Sequence, residues 1–234
     1  MWLMTSKGRA KAAEEVMQAC WDTGMRQKAI LYVDGPMAGY DKIKLPDNWS
    51  LMNGTGNLAG SYNEIVKEHN TERCYGWMAD DNIPITPYWS YIIEEVCGTW
   101  HFVHCKDDWV SAMNEQNREM LYQSRNMGGG MCWGGDLMRC VGYWAMPGVV
   151  QAGIDWMWTA LIGGTPIGVY LHNVTVKHNN FRTGRRPKDK TDEWGAWMQP
   201  DIDKTSAFIK SEEFKQLRKK VLNAYYEAIR SRHS

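Results

Sequence analysis

An α/β fold, with a mostly parallel sheet flanked by helices, is predicted by three features of this 234-residue chain. Its first segments alternate apolar strand, amphipathic helix and apolar strand, the order of a βαβ unit with parallel strands. Each strand runs into a polar turn, and in open sheets of this kind ligands lie beyond the carboxyl ends of the strands. Further on, Arg73 to Asn82 reads as a short buried strand, Cys74–Met78, that leads directly into two carboxylates and an amide.

Taken in order, Met1–Met4 is a short apolar strand and Thr5–Arg9 a polar turn. Ala10–Thr23 is a helix, because Ala13, Val16, Met17, Cys20 and Trp21 keep the helical spacing, and Gly24 stops it. Ala29–Val33 is the second strand, ending at Asp34-Gly35-Pro36. Thr5, Arg9 and Asp34 therefore sit at strand ends. Trp49–Met52 is a weaker strand, and Asn57–His69 a helix with Leu58, Tyr62, Ile65 and Val66 on one face. In the stretch after it, Gly76 and Pro84 argue against a helix. Thr86 is placed as N-cap and Pro87 as the first residue of a helix through Cys97. Trp100–Cys105 is a strand, and Lys106–Met131 is polar, with a helix near 112–123 and a flexible joint at Gly128–Gly130. Pro147 is expected to open a helix to Leu161 that buries Val150, Ile154, Met157, Trp158 and Leu161. Gly168–His172 is a further strand, 177–206 a loop, and Ser211–Arg230 a last amphipathic helix with Phe214, Leu217, Val221 and Tyr225 inward.

Composition narrows the classes of function. Lys+Arg and Asp+Glu are equal at 27 each, which argues against a strongly basic nucleic-acid binder while leaving room for a local basic patch. Six cysteines occur without a CxxC pair, so the common zinc motifs are excluded, and the spacing suits reduced, buried thiols of a cytoplasmic protein. No signal peptide is visible. The apolar run Gly148–Leu171 carries Gln151 and Asp155 and is broken at Gly163-Gly164, so it reads as a buried helix and a strand, not a membrane span. Thirteen Trp and eleven Tyr are enough both to fill a core and to leave platforms for sugars or bases.

A strand ending in Asp80, Asp81 and Asn82 is a common way to hold a hard divalent cation at a sheet edge, and equally an ordinary turn. Other pieces join it in a fixed order. Gly56-Asn-Leu-Ala-Gly-Ser-Tyr-Asn63 resembles the Gly-Leu-Ser-x-Ala-Arg-Asn helix start of the glycosyltransferases with a GT-A fold, especially the small ones related to family 2. Ala79-Asp-Asp-Asn82 resembles their DXD region, Gly153-Ile-Asp155 their acceptor-side acidic motif, and Val176-Lys-His178 the late histidine that completes the metal site in many members. The resemblance covers residues 1 to about 185. It departs from the family where Tyr62 replaces an arginine, where Asn82 stands in place of a third carboxylate, and where Gly153-Ile-Asp155 lacks a Glu-Asp pair.

The resemblance implies a nucleotide-sugar donor, a UDP-sugar in the first instance, and a divalent cation, Mn or Mg. Thr5 and Arg9 would lie along the nucleotide, Asp34 would accept from the base or ribose, and Asn63 and Asp80 would border the pocket. Asp81 would be the first metal ligand, with Asp80 or Asn82 close by, and His178 the second. Asp155 would be the general base, and Arg182, Arg185 and Arg186 would close over the diphosphate, since guanidinium matches phosphate oxygens in bidentate fashion. The implied layout is one catalytic domain over 1–206, with nucleotide-binding (1–105) and acceptor (106–206) halves, followed by a helix packed on it over 207–234.

Compact members of this kind look like those encoded by bacteriophages and working in the host cytoplasm, where the acceptor is a hydroxymethylated pyrimidine in DNA. The basic outer face of the last helix (Arg218, Lys219, Lys220, Arg230) and the aromatics at 133–158 suit such a polyanionic acceptor with a flipped base, or else are solvated and core residues. A glycan, lipid or protein hydroxyl is the alternative acceptor. A nucleotidyltransferase, or a non-catalytic module built on the same sheet, is the alternative class.

Overall fold

The computed structural model describes residues 1–54, 57–108, 130–179, 184–188 and 198–232. The elements run β1 (Trp2–Ser6), α1 (Ala10–Asp22), β2 (Ala29–Val33), β3 (Trp49–Asn53), α2 (Leu58–Glu68), β4 (Cys74–Ala79), β5 (Asn82–Pro84), α3 (Trp89–Cys97), β6 (Phe102–Asp107), β7 (Met131–Gly134), α4 (Gly135–Val141), α5 (Ile154–Ile162), β8 (Gly168–His178), α6 (Gln199–Lys210) and α7 (Glu212–Arg232), with a 3-10 turn at Tyr40–Lys42. The strands form one mixed sheet in the order β3-β2-β1-β4-β7-β6-β8-β5. Pairing is parallel across β3-β2-β1-β4 and between β6 and β8, and antiparallel at β4-β7, β7-β6 and β8-β5.

The first half follows from the apolar pattern. Both faces of β1 and β2 are covered, so their residues are apolar in succession instead of alternating. Trp2, Met4, Leu31 and Val33 face α1 and pack with Val16, Met17 and Cys20. Met1, Leu3, Ile30 and Tyr32 face α2 and pack with Tyr62, Ile65 and Val66. A Cβ on Gly76 would lie 2.2 Å from the Trp2 ring, so a side chain there would displace the indole that spans β1 and β4. All six cysteines are free thiols, as expected, and five of them are buried.

Later elements depart from the expected ones in five places. The helix placed at Pro147–Leu161 begins only at Ile154. The N–H groups of Val150, Gln151 and Ala152, which would have donated within that helix, converge instead on Oδ2 of Asp201, at 2.9, 2.8 and 3.0 Å. Gly153 then turns the chain at φ 84, with no room for a Cβ beside Thr205. The helix after the acidic turn begins at Trp89, behind a left-handed Tyr88 (φ 56), because the Thr86 hydroxyl is taken by the N–H of Thr175 on β8 (2.8 Å). β8 extends six residues beyond His172, to His178, because it is paired on both sides, with β6 and β5. The expected loop 177–206 contains the start of α6, and β7 and α4 occupy residues where the sequence pattern predicts no element. The helix expected near 112–123 lies outside the described residues. α7 docks through Phe214, Val221 and Tyr225 into the core cluster that also holds Trp133, Trp144 and Trp158.

Asp201 thus ties α6 to the segment that starts α5. Its pKa lies below the ordinary carboxylate value: burial raises it, but the Gln151, Ala152 and Val150 amides outweigh that. The carboxylate therefore contributes stability that is present above the unfolded value and lost as pH falls through the lower folded value. Asp201→Ala is expected to cost about 2–4 kcal/mol, since it leaves three amides without their charged acceptor. A denaturant midpoint unchanged at pH 7 would contradict this.

Candidate active site

The carboxyl ends of β1, β4, β6 and β8 bring a charged cluster together. β4 delivers Asp80 and Asp81 into a two-residue turn, and the Asn82 side chain closes that turn by accepting the Ala79 N–H at 3.0 Å. Asn82 pairs with His178 across β5-β8, and the Asn179 N–H donates to the Asp81 carbonyl at 2.7 Å, so the turn is locked to the end of β8. Asp80, Asp81 and Asn82 are each less than a tenth exposed, which separates this turn from a solvated one.

The two carboxylates share Arg9 and otherwise face different partners. Asp80 accepts from the Ser6 hydroxyl at 2.5 Å and from Arg9 at 3.2 Å. Burial pushes its pKa up to about 6, against the pull of Ser6 and Arg9. Asp81 Oδ2 lies 3.4 Å from His178 Nε2 and 3.9 Å from guanidinium nitrogens of both Arg9 and Arg186. On its other side, His178 Nδ1 is 2.7 Å from Asp107 Oδ2. Burial lowers the His178 pKa, but Asp107 and Asp81 override it and raise the value to about 9. The residue after Asp107, Asp108, accepts the His178 N–H at 2.8 Å and binds Arg185 at 2.7 Å. Arg186 Nε donates to the Asn179 carbonyl at 3.0 Å.

The structure therefore gathers Arg9, Asp80, Asp81, Asn82, His178 and Arg185 as a contiguous set. Arg182 lies outside the described residues. Asp34 is at the neighbouring end of β2, 3.8 Å from Lys7, with its Oδ1 buried and without a hydrogen bond among the described residues. The Thr5 hydroxyl is bonded to Tyr62. Asn63 is engaged further away: its amide accepts from the Trp144 and Ala145 N–H groups and donates to the Ala145 carbonyl. Asp155 stands in the first turn of α5, with its pKa raised by burial against the helix-start amides of Trp156 and Asp155. No hydrogen bond or ion pair connects its side chain to Asp80, Asp81 or His178.

Sequence reasoning missed Ser6, Tyr40, Asp107 and Asp108. Tyr40 reaches the site from the 3-10 turn and shares a 2.6 Å bond with Ser6. The signal for Asp107-Asp108 was present, as a second acidic pair at a strand end.

A divalent cation fits this donor set as one completed by substrate. Among the described residues no group of three His, Cys, Asp or Glu side chains is arranged to hold a metal alone. Asp81 Oδ2 and His178 Nε2, at 3.4 Å, are close to the roughly 3 Å that separates adjacent ligands of a six-coordinate ion. Small divalent ions commonly take one or two protein ligands and fill the rest with phosphate oxygens and water.

No family model matches the chain, and no curated protein matches it. Solved structures do. The mannosyltransferase PcManGT from Pyrobaculum calidifontis, in complex with GDP-Man and Mn2+, aligns over 97% of this chain and 74% of its own, with 11% identity and a TM-score of 0.58. GalNAc-T7 with UDP, GalNAc and Mn2+ aligns over 95% of this chain and 54% of its own, with 9% identity and a TM-score of 0.57. The catalytic domain of Drosophila β1,4-galactosyltransferase 7, in complex with xylobiose, aligns over 87% and 78%, with 11% identity and a TM-score of 0.51. Likeness at these identities is likeness of fold, and the chain has the fold of the GT-A glycosyltransferases.

Proposed function

We propose that this chain is a metal-dependent glycosyltransferase that moves a sugar from a nucleoside-diphosphate donor, a UDP-sugar in the first instance, to an acceptor hydroxyl. The observation that carries this reading is the pair Asp81 and His178, set 3.4 Å apart at the strand ends and flanked by Arg9 and Arg186. Two of the neighbours in fold are bound to Mn2+ together with GDP-Man, or with UDP and GalNAc, which supports the same ligand class here. Gly153–Asp155 and the late His178 support reading the chain as one of the compact, family-2-like members.

Asp81 and His178 would hold the cation, which supplies charge stabilisation to the departing diphosphate. Arg9 and Arg186 would take phosphate oxygens, and the buried Oδ1 of Asp34 would accept from the base or ribose. Asp155 would accept the proton of the attacking hydroxyl, and its raised pKa suits that role, since a general base works best with a pKa closer to the operating pH. A DNA acceptor draws little support: Trp133 and Trp144 are in the core, and Arg218 and Lys220 bond the carbonyls of Leu161, Gly163 and Cys140. Trp156, at 40% exposed, is the tryptophan of that region open to a ring, which favours a glycan. No helix among the described residues is long and apolar enough to cross a membrane.

The test is thermal unfolding with and without Mn2+ across UDP, GDP and their sugars. A nucleotide present at about 100 times its Kd adds roughly 2.7 kcal/mol of stability. Stabilisation that requires both nucleotide and metal is expected; no response to any nucleoside diphosphate with Mn2+ present would end the reading.

A further inference from the structure

We infer that Asp107 is the positioning residue of the metal-ligand imidazole, holding the metal-loaded His178 with its one remaining proton on Nδ1 and Nε2 turned toward Asp81. This rests on the donor-site reading above. Asp107 lies at the end of β6, and the parallel register Asp107↔Val176 puts its side chain within reach of the residue two further along β8. Its carboxylate is fully buried and 2.7 Å from Nδ1, while the opposite nitrogen is 3.4 Å from Asp81. Asp108 takes the backbone N–H of the same residue at 2.8 Å. Two successive residues, Asp107 at the end of β6 and Asp108 directly after it, therefore fix the ring and the main chain of His178.

A buried acceptor against one imidazole nitrogen keeps the proton there and directs the lone pair of the other nitrogen outward. A carboxylate in that place also makes the ligand nitrogen more basic. The shift of register at Cys105/Lys106 is what brings Asp107 opposite Val176; without that bulge β6 would present a different residue to His178.

The experiment is Mn2+ binding to the full chain with UDP, and in parallel GDP, followed by the electron paramagnetic resonance of free Mn2+. Asp107→Asn retains an acceptor without charge, and Asp107→Ala removes both. The Mn2+ Kd is expected to rise about tenfold in the first and toward about 100-fold in the second, with nucleotide binding in the absence of metal unchanged. Should either variant fail to fold, nitrogen-15 imidazole spectra of the wild-type chain with Mg2+ and UDP carry the test, and His178 is expected to be neutral and protonated at Nδ1. Unchanged Mn2+ affinity in folded Asp107→Ala, or a loaded His178 protonated at Nε2, overturns the inference and leaves the donor site standing. No Mn2+ binding by the wild type with either nucleotide removes the donor-site reading itself, and this inference with it.

Discussion

Asp81→Asn is expected to abolish metal-dependent stabilisation by nucleoside diphosphate and to lower turnover of the sugar donor by about 10³-fold or more. The substitution keeps the shape of the side chain and removes one negative charge from a site where Arg9, Arg186 and His178 converge on it. The charge stabilisation that a cation provides to a leaving diphosphate amounts to several kcal/mol, and about 4 kcal/mol corresponds to a thousandfold in rate. Asp80→Asn provides the contrast. Asp80 is held by Ser6 and Arg9, while the His178 imidazole pairs with Asp81, so this variant is expected to retain metal-dependent nucleotide binding while misplacing Arg9. Titration calorimetry of both variants with UDP, with and without Mn2+, separates the roles. Retained metal coupling in Asp81→Asn together with its loss in Asp80→Asn would exchange the two assignments.

The fold was legible where burial is decided locally. β1, β2 and β4 are covered on both faces, and α1 and α2 each carry one apolar stripe, so continuous runs and helical spacing located them to within a residue or two. It became illegible where a distant residue decides. The start of α5 depends on Asp201, about fifty positions on, whose carboxylate draws three amides out of any longer helix. The second half of β8 is set by backbone pairing to β5 and β6, while Asn173 and Lys177 are exposed and look like loop residues. β7, at four residues, is too short to display a period. In the site, acidic residues at strand ends mark Asp80 and Asp81, but the strand signal before Asp107 stops at Cys105, where the bulge interrupts alternation. Tyr40 comes from a 3-10 turn that has no sequence signature.

Asp155→Asn is expected to separate activity from stability. As general base, Asp155 would remove the acceptor proton, and losing such a group costs about 10²–10⁴-fold. Its pKa is raised because burial penalises the charged form more than the helix-start amides favour it. The sign of the linkage follows. A carboxyl whose folded value exceeds its unfolded value makes folding less favourable at neutral pH, and this penalty disappears as pH falls through the folded and then the unfolded value. Asparagine carries no such penalty, so the variant is expected to unfold at the same temperature as the wild type or higher at pH 7, with the two converging in acid. In the wild type, turnover should fall on the acidic side through a pKa above the ordinary aspartate value, and that limb should be absent from the residual activity of the variant. Nucleoside-diphosphate release measured across pH, beside calorimetric unfolding of both proteins, decides the matter. A stable variant with undiminished turnover would take the proton-accepting role from Asp155 and return it to being a charge at the start of α5, favoured there by the helix dipole.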